Sequence, residues 1–195
     1  MLLEHREAYL RCVPGLRVAN LAGDPPLEVR AHAWEQGGPS PLQTLVVERL
    51  DVVRGGKPIL KELSFQLCSG QIAALVGPNG AGKTTLFRAL AGFQPYQGQV
   101  FLANSGEKPR FGMVFQNPDV QLFNATVHDE ILYQVSQPDI DWYRWLLAML
   151  DLERYEQTPP LLLSEGEKRR VALATVLMRR PGCGILLDEP ALGLD

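Results

Sequence analysis

The pattern of apolar and polar residues predicts strands in the middle of the chain. Residues 45–53 and 59–67 are rich in β-branched and other apolar residues, and Gly55-Gly56 lies between the two segments. Such a pattern predicts two strands joined by a turn. Residues 71–76 form a short apolar segment of the length that a buried strand needs. Similar apolar runs predict further strands over residues 99–103, 111–115 and 184–187.

A helical pattern covers most of residues 125–180. In its last part, Val171, Ala174, Thr175 and Met178 recur at the spacing of one helix face. We predict a helix from about residue 165 to residue 180, which the Pro-Gly pair after Arg180 ends. The segment 142–150 carries two tryptophans on a broad apolar face. We interpret them as packing in a core or an interface rather than as a stacking platform for a ligand.

The first 42 residues have a different character. Residues 4–12 could form a short helix, but turn formers follow at Pro14-Gly15, at Asp24-Pro25-Pro26 and in the cluster 37–41. We interpret residues 1–42 as an N-terminal extension that ends in a linker. Residues 43–195 are predicted to form one domain, which a chain of 195 residues allows.

Composition and charge narrow the classes of function. Hydrophobic residues make up 46% of the chain, enough for a core, and the net charge of −3 gives no basic surface for a nucleic acid. Three widely spaced cysteines, Cys12, Cys68 and Cys183, favour a reducing cytosol over a disulfide scaffold. The sequence shows no apolar run of the roughly 18 residues that a membrane span needs and no signal-peptide pattern. Any role at a membrane is therefore expected to be peripheral.

Candidate chemistry begins with the segment Gly77–Thr84, whose sequence is GPNGAGKT. It matches G-x-x-x-x-G-K-[ST] and lies between a predicted strand and a predicted helix over residues 85–91, as a phosphate-binding loop requires. Small residues let backbone N–H groups surround phosphate oxygens, and a helix N-terminus favours the same charge. Lys83 is predicted to reach the outer phosphates and Thr84 to bind Mg²⁺. A plain Gly/Pro turn is the alternative, which the flanks, the spacing and the Lys-Thr pair disfavour.

Two acidic motifs lie farther along the chain. Asp188 and Glu189 directly follow an apolar strand, where one carboxylate can hold Mg²⁺ and the next can polarise an attacking water. That motif is weak alone, since many surface strands end in acids, but it is strong downstream of a phosphate-binding loop. The second motif, Ser164-Glu165-Gly166-Glu167, is explained well by a plain helix start with a capping box.

Together these segments resemble the nucleotide-binding domain of ABC-type ATPases over roughly residues 43–195. The resemblance implies an α/β fold: a P-loop NTPase core with a mostly parallel sheet, an N-terminal antiparallel β subdomain and a helical signature subdomain over about residues 125–180. Five segments match the motifs of the family: Walker A at Gly77–Thr84, the Q-loop glutamine at Gln116, the signature at Ser164–Glu167 after Leu163, Walker B at Ile185–Glu189 and the D-loop at Leu192–Asp195.

A finer resemblance concerns two further segments. The run FQNPDVQLF at residues 115–123 is similar to that of energy-coupling-factor and cobalt/nickel-type importer ATPases, and KRRVALA at residues 168–174 is similar to their signature helix. Those systems take up vitamins and transition-metal ions. The resemblance therefore implies an importer of this kind.

The resemblance also implies roles for individual residues. ATP binds between the Walker A loop of one domain and the signature helix of a second, so Ser164, Gly166 and Glu167 are expected at the partner's ATP. Asp195 is expected to cross the dimer interface, and Gln116 to relay the nucleotide state to a membrane subunit. The implied catalytic residues are Glu189, Gln116 and Lys83, and the implied Mg²⁺ ligands are Thr84, Gln116 and Asp188. The implied ATP-binding residues are Gly77, Pro78, Asn79, Gly80, Ala81, Gly82, Lys83, Thr84 and Thr85.

The chain departs from the family pattern in four places. The signature reads Ser-Glu-Gly-Glu instead of Ser-Gly-Gly-Gln, and we expect the side chains of Glu165 and Glu167 to point away from the nucleotide. Val53-Arg54 stands where the family usually has an aromatic residue on adenine, and the Arg54 guanidinium could stack there instead. No residue fills the place of the family's switch histidine beyond Asp195, and His128 is no substitute, so we expect the chain to be a fragment. The extension could be the end of a preceding ATPase half in a tandem chain.

We expect a second ABC ATPase domain as partner, in a homodimer, a heterodimer or a tandem chain. We also expect a transmembrane transporter subunit as partner, with this chain at the cytoplasmic face of the cell membrane.

Three functions remain open at this point. The leading function is the ATP-hydrolysing motor subunit of an importer for vitamins or transition-metal ions. A regulatory half with little turnover is favoured by the altered signature and the missing switch histidine, and opposed by Glu189. A non-transport ABC ATPase of DNA repair or translation is disfavoured, because residues 116–164 leave no room for a coiled-coil insertion and the acidic balance argues against DNA.

Overall fold

A computed structural model describes residues 17–21, 27–33 and 43–189 of the chain, with side chains over residues 43–189. The described residues belong to two compact units, which divide between Pro109 and Arg110. Strands and helices follow one another along the chain, so the predicted α/β class is confirmed. The predicted helix over residues 4–12 and the linker cluster over residues 37–41 lie outside the described residues.

The first unit is mainly antiparallel β-structure. Its described residues form two three-stranded sheets with the strand orders β1-β2-β5 and β4-β3-β6, and every pairing in them is antiparallel. The predicted antiparallel β subdomain is therefore present. The elements of this unit are β1 (Arg17–Leu21), β2 (Leu27–Ala33), β3 (Thr44–Arg54), β4 (Lys57–Cys68), β5 (Gln71–Val76), α1 (Lys83–Leu90) and β6 (Gln97–Leu102).

The predicted hairpin is confirmed as β3 and β4. Its turn is Gly55-Gly56, with φ angles of 57° and 76°, and glycine adopts such angles without steric cost. Apolar side chains of both strands are buried, among them Leu50, Val52 and Leu63. Burial of these side chains is the main favourable contribution to the stability of the hairpin.

Strand β5, which leads into the Gly-rich loop, pairs differently from the prediction. Its partner is β2, which runs antiparallel to it from Glu28 opposite Val76 to Ala33 opposite Gln71. Both β1 and β2 lie within residues 1–42, where frequent turn formers concealed two short strands. The expectation of a buried strand is wrong for β5, since the Ile72 side chain is 62% exposed. Strand β2 of the extension provides hydrogen-bond partners for backbone N–H and C=O groups along one edge of β5.

The second unit combines a parallel strand pair with helices. Parallel pairing, expected for most of the sheet, is confined among the described strands to β7 and β8, from Phe111 opposite Gly184 to Val114 opposite Leu187. The elements of this unit are β7 (Phe111–Val114), α2 (Val127–Leu132), α3 (Ile140–Met149), α4 (Glu165–Met178) and β8 (Gly184–Leu187), with 3₁₀ turns at Pro118–Val120, Glu153–Tyr155 and Pro160–Leu162.

Helix α4 lies at the centre of the second unit. Its Val171 is fully buried in one apolar cluster with Ile131 of α2 and Leu146 of α3. The helix predicted for residues 165–180 is thereby confirmed, and its apolar face is the one that packs. None of the helices in the described part of the chain has the length and apolar character that crossing a membrane requires.

The two tryptophans of α3 differ in how far their side chains are buried. Trp142 packs against the apolar cluster of this unit, and its Nε1 donates to the main-chain oxygen of Leu177 at 3.3 Å. Trp145 is half exposed and stacks on Trp142, with ring centroids 4.7 Å apart. The predicted packing role is thus confirmed for Trp142.

Candidate nucleotide-binding site

The Gly-rich loop joins β5 to the first turn of α1. Residues 77–82 leave the strand, and α1 begins at Lys83 with Gly82 as its N-cap. The loop closes on itself because the Ala81 N–H donates to the main-chain oxygen of Pro78 at 3.2 Å. The Leu86 N–H then donates to Gly82 O at 2.8 Å and starts the helical pattern. The predicted succession of strand, Gly-rich loop and helix is confirmed.

Two glycines of the loop adopt backbone conformations that other residues disfavour. Gly80 has a φ of 84° and Gly82 a φ of 93°, both in the left-handed region. A Cβ atom on Gly82 would lie 2.8 Å from Leu60 Cδ2 and 3.3 Å from Ile59 Cγ2, so the loop also packs closely against β4. Position 82 therefore requires glycine both for its φ angle and for its contacts.

The side chain of Lys83 lies across the loop. Its Nζ donates to Gly77 O at 2.7 Å and to Pro78 O at 2.8 Å. In α1, all of which the structure describes, no side chain caps the N-terminus and no acidic residue lies in the first turn. Backbone N–H groups at a helix N-terminus and a nearby ammonium group form a suitable site for a phosphate group. The residues present therefore fit a phosphate group, and Thr84 and Thr85 lie in the same first turn.

In the second unit, the parallel pair brings together residues far apart in the sequence. Gln116 follows β7 and Glu189 follows β8, and the pairing of Val114 with Leu187 places both at the same edge. Gln116 Nε2 donates to Glu189 Oε2 at 2.5 Å. Asp188 is buried, and its N–H donates to Val114 O at 3.1 Å. Three predicted site residues, Gln116, Asp188 and Glu189, therefore lie together.

Sequence reasoning missed a residue that contacts Glu189. Arg169, in the second turn of α4, donates from Nη1 to the main-chain oxygen of Glu189 at 3.2 Å. Glu189 has a φ of 52°, which is uncommon for a residue with a side chain. Arg169 lies in the basic run Lys168-Arg169-Arg170, and nothing local distinguishes it from its neighbours. Its contact depends on the position of α4 beside the strand pair, which the local sequence pattern does not reveal.

The predicted capping box at the start of α4 is confirmed. Ser164 is the N-cap, its Oγ accepts from the Glu167 N–H at 3.4 Å, and Glu167 Oε2 accepts from the Ser164 N–H at 2.8 Å. The Tyr155 hydroxyl donates to the other carboxylate oxygen of Glu167. These hydrogen bonds, from Tyr155 first and then Ser164, lower the pKa of Glu167 from 4.5 to about 2. The carboxylate of Glu167 is thus turned back onto its own helix start.

The run FQNPDVQLF alternates between contacts with α4 and exposure. Asp119 Oδ1 lies 2.8 Å from the Nζ of Lys168, and Gln121 Nε2 donates to Thr175 Oγ1 at 3.2 Å. The hydrogen bond to Asp119 raises the pKa of Lys168, against the opposing effect of burial. Between and after these contacts, Val120 is 68% exposed and Phe123 is 63% exposed. The polar residues of the run therefore attach it to α4.

His128 has hydrogen-bond partners away from the predicted site. Its Nδ1 lies 3.0 Å from the Tyr143 hydroxyl and 3.3 Å from Glu156 Oε1. The Tyr143 hydroxyl donates to Glu156 Oε1 at 2.9 Å, and burial, followed by this hydrogen bond, raises the pKa of Tyr143. The side chain of His128 thus joins α2 to the segment before α4.

The remaining predicted residues divide between the two units. Gly77–Thr85 lies in the first unit, whereas Gln116, Ser164–Glu167 and Asp188-Glu189 lie in the second. Val53 and Arg54 are exposed at the end of β3. Among the described residues, no group of three or more His, Cys, Asp or Glu is arranged to hold a metal ion. The predicted D-loop, with Asp195, lies outside the described residues.

Comparisons with known proteins point to one family. The family model described as ABC transporter matches residues 60–192. The chain is 38% identical over 175 residues to the putative HMP/thiamine import ATP-binding protein YkoD of Bacillus subtilis. The aligned segment covers 84% of this chain and 32% of YkoD. It is 36% identical over 157 residues to the energy-coupling factor transporter ATP-binding protein EcfA of Methanocaldococcus jannaschii. That alignment covers 72% of this chain and 56% of EcfA. The chain therefore spans less than two thirds of the length of either relative.

Two solved structures are similar in fold. One is cbiO1 from Clostridium perfringens, part of the ABC transporter complex cbiONQ, with 30% identity and a TM-score of 0.62. That match covers 77% of this chain and 67% of the other. The second is a bacterial Atm1-family ABC exporter with ATP bound, with 25% identity and a TM-score of 0.65 over 80% of this chain and 31% of the other.

Proposed function

The chain belongs to the ABC transporter family, and we propose that it is the ATP-hydrolysing motor subunit of an importer. The observation that carries this proposal is the conformation of the loop Gly77–Thr84. Its left-handed glycines, its uncapped helix N-terminus and the Lys83 ammonium group form a cradle for phosphates. The hydrogen bond between Gln116 and Glu189 supports a hydrolytic role for the second unit.

The triphosphate of ATP is the proposed ligand of the Gly-rich loop. Backbone N–H groups of the loop and of the first turn of α1 donate to phosphate oxygens. Pro78 has no backbone N–H, so it lines the site without donating. The proposed contacting residues are Gly77, Pro78, Asn79, Gly80, Ala81, Gly82, Lys83, Thr84 and Thr85. Lys83 exchanges the main-chain oxygens that it now contacts for the outer phosphates. An ammonium group with two neutral acceptors gains a stronger partner in this exchange.

Glu189 is the proposed general base, which accepts the proton of the attacking water. Gln116 holds one oxygen of that carboxylate and so orients it. The proposed Mg²⁺ ligands are Thr84, Gln116 and Asp188, whose hydroxyl, amide and carboxylate oxygens are the hard donors that this ion prefers. When bound, Mg²⁺ neutralises charge on the outer phosphates.

A second ABC ATPase domain is the proposed partner in the cytoplasm. The start of α4, with Ser164, Gly166 and Glu167, faces the ATP of that domain, and Asp195 lies in the interface. Because the Glu167 carboxylate already accepts hydrogen bonds from Ser164 and Tyr155, the Ser164 hydroxyl and the N–H groups near Gly166 carry the contact with the partner's ATP.

We propose residues 43–195 as the ATP-binding domain, residues 1–42 as an extension and residues 125–180 as the helical subdomain. ATP shifts the pair toward a closed state, and hydrolysis reopens it.

The proposed cargo is a vitamin or a transition-metal ion, carried by a transmembrane partner subunit. Support comes from the relatives, one named for HMP/thiamine import and one for an energy-coupling factor transporter, and from the similarity to cbiO1. The run FQNPDVQLF supports the same class. The proposed location is the cytoplasmic face of the cell membrane, with peripheral attachment through the transmembrane subunit.

One observation favours a second candidate, a regulatory half that binds ATP with little turnover. Glu165 and Glu167 both lie in the first turn of α4. They place negative charge next to the proposed position of a γ-phosphate, which opposes binding there. The observed hydrogen bonds of Glu167 reduce this conflict, because they direct its carboxylate to its own helix start.

The test compares the wild-type protein with Glu189→Gln and Lys83→Ala, each together with its partners. Calorimetry measures the affinity for Mg-ATP, and phosphate release measures turnover. We expect Glu189→Gln to retain affinity and lose about 10²- to 10⁴-fold in kcat, whereas Lys83→Ala loses affinity. A wild-type protein that binds ATP but turns over no faster than Glu189→Gln would support the regulatory candidate. A wild-type protein without affinity for Mg-ATP would contradict both.

A further inference from the structure

We propose that Arg169 is a positioning residue for Glu189 and connects the signature helix to the hydrolytic carboxylate of the same chain. This inference rests on the proposed function, in which Glu189 activates the attacking water. Arg169 is observed to contact Glu189 at the main chain and not at the carboxylate. It acts through the main chain of Glu189, where its Nη1 donates to the carbonyl oxygen at 3.2 Å.

The backbone of Glu189 needs such a contact. Its φ of 52° lies in the left-handed region, where a residue with a Cβ is sterically disfavoured. Two hydrogen bonds act on this residue, one from Gln116 Nε2 to the carboxylate and one from Arg169 to the carbonyl oxygen. Together they hold both the side chain and the main chain of Glu189. Without the hydrogen bond from Arg169, the backbone of Glu189 is free to relax toward a more favourable φ, and the carboxylate moves with it.

The guanidinium group of Arg169 is directed toward the end of β8. Its Nε is buried and has no hydrogen-bond partner among the described residues, a feature that it shares with the adjacent Arg170. A buried donor without a partner is unfavourable, and an arginine at the surface of a helix would normally extend into water. The side chain instead lies between α4 and the end of β8, where the carbonyl oxygen of Glu189 accepts its hydrogen bond.

The position of Arg169 on α4 makes it a connection between two sites. Ser164 is the N-cap of the same helix, five residues earlier and therefore about 7.5 Å along the axis. The helix is anchored by the fully buried side chain of Val171. Because Ser164 and Arg169 belong to one helix, a displacement of the start of α4 would also move Arg169 and its hydrogen bond to the Glu189 carbonyl. In the proposed function, the start of α4 contacts the partner's ATP, whereas Glu189 acts on the ATP of its own domain.

The same helix offers a matched control. Arg179 donates from Nη1 to Thr175 O at 2.9 Å and from Nη2 to Tyr133 O at 3.0 Å. Arg179 is the C-cap of α4, at the opposite end from Arg169. It also donates to main-chain oxygens, but neither acceptor belongs to the predicted site. A general effect of removing such an arginine will appear equally in Arg169→Gln and in Arg179→Gln.

The experiment measures kcat, KM and Mg-ATP affinity in the full-length protein with its partners. We expect Arg169→Gln to lower kcat at least about tenfold, since small displacements of catalytic groups have effects of this order or larger, and to change ATP affinity less than about twofold. Arg169→Lys, which retains a donor, should recover part of the loss. Arg179→Gln should match wild type. In a Glu189→Gln background, Arg169→Gln should cause no further fall in kcat.

Several results would overturn the inference. One is an equal kcat for Arg169→Gln and Arg179→Gln; another is a loss confined to ATP affinity. Thermal melting of each variant shows whether it folds, and if Arg169→Gln does not, a kcat in folded Arg169→Lys equal to wild type decides against the role. If Glu189→Gln itself retains full kcat, the proposed function fails as well. If Glu189→Gln loses activity but Arg169→Gln does not, only the positioning role fails.

Discussion

The Gly-rich loop and the edge that carries Gln116 and Glu189 are assembled in different ways. In the loop, the residues that shape the site are consecutive, from position 77 to position 85, and their conformation follows from glycine and from the start of a helix. At the other edge, Gln116 is 73 positions from Glu189, and Arg169 is 20 positions from it. That edge exists because two strands pair in parallel and α4 packs beside them.

This difference predicts different responses to substitution. A change in the loop acts on the backbone of a few neighbouring residues, because the conformation is local. A change at the edge acts through packing and through shared hydrogen-bond partners, so its effect depends on other residues and is not additive. Three predictions test this contrast, one for the loop and two for contacts of α4.

The largest effect is expected for Gly82→Ala in the loop. A Cβ at this position meets Leu60 Cδ2 at 2.8 Å and requires a φ of 93° from a residue with a side chain. We expect a loss of about 1–3 kcal/mol in the free energy of unfolding, together with weaker binding of Mg-ATP. Denaturant unfolding and calorimetry measure the two quantities. Gly56→Ala is the control, because its φ is 76° but no atom lies within 4 Å of the added Cβ. Equal losses in the two variants would show that contact with β4 is unimportant.

An intermediate effect is expected for the link between the run FQNPDVQLF and α4. Gln121 Nε2 donates to the hydroxyl of Thr175, which is buried. A double-mutant cycle with Gln121→Ala and Thr175→Val should give a coupling free energy of about 0.5–1.5 kcal/mol. Denaturant unfolding of the four proteins provides the measurement. The control is a second cycle in which Gln134→Ala replaces Gln121→Ala. In the described structure, the Gln134 side chain donates to the hydroxyl of the adjacent, exposed Tyr133, so its coupling to Thr175→Val should be zero. For Gln121→Ala, a coupling indistinguishable from zero would mean that the run is held to α4 by other contacts.

The smallest effect is expected at the start of α4 and depends on pH. The hydrogen bonds of Tyr155 and Ser164 lower the pKa of Glu167 from 4.5 to about 2. A lowered pKa means that the stabilisation is fully present above pH 4.5 and is lost as the pH falls toward about 2. We expect the Tm of the wild type to fall through this window more than the Tm of Glu167→Gln. In a Tyr155→Phe background, the pH dependence of Tm should differ less between the proteins with and without the Glu167→Gln substitution. Parallel curves of Tm against pH for wild type and Glu167→Gln would contradict a lowered pKa of Glu167.

Several elements were predictable because their signals are local. The hairpin of β3 and β4 follows from two apolar segments around Gly55-Gly56, and the capping box follows from the spacing of Ser164 and Glu167. The loop at Gly77–Thr84 follows from its glycines and its Lys-Thr pair. In each case the residues that form the structure lie within a few positions of one another, so the sequence pattern contains the whole interaction.

Other elements were not predictable because their partners are distant. Strands β1 and β2 lie in a segment rich in turn formers, and the pairing of β2 with β5 brings together residues more than 35 positions apart. The contact of Arg169 with Glu189 had no local signal in the basic run around it. Likewise, the exposure of Ile72 depends on which surfaces cover β5. An apolar segment shows that burial is favourable, but not which surface provides it.

By itself, the sequence determined that this chain carries a phosphate-binding loop, two acids after an apolar strand and a capped helix with an altered signature. Glycine conformations, helix capping and the positions of charged residues are properties of neighbouring residues, so they can be read directly. Only the tertiary structure decided that Gln116 and Glu189 form a hydrogen bond and that Arg169 holds the main chain of Glu189. Those contacts arise from strand register and helix packing, which depend on the whole of the second unit.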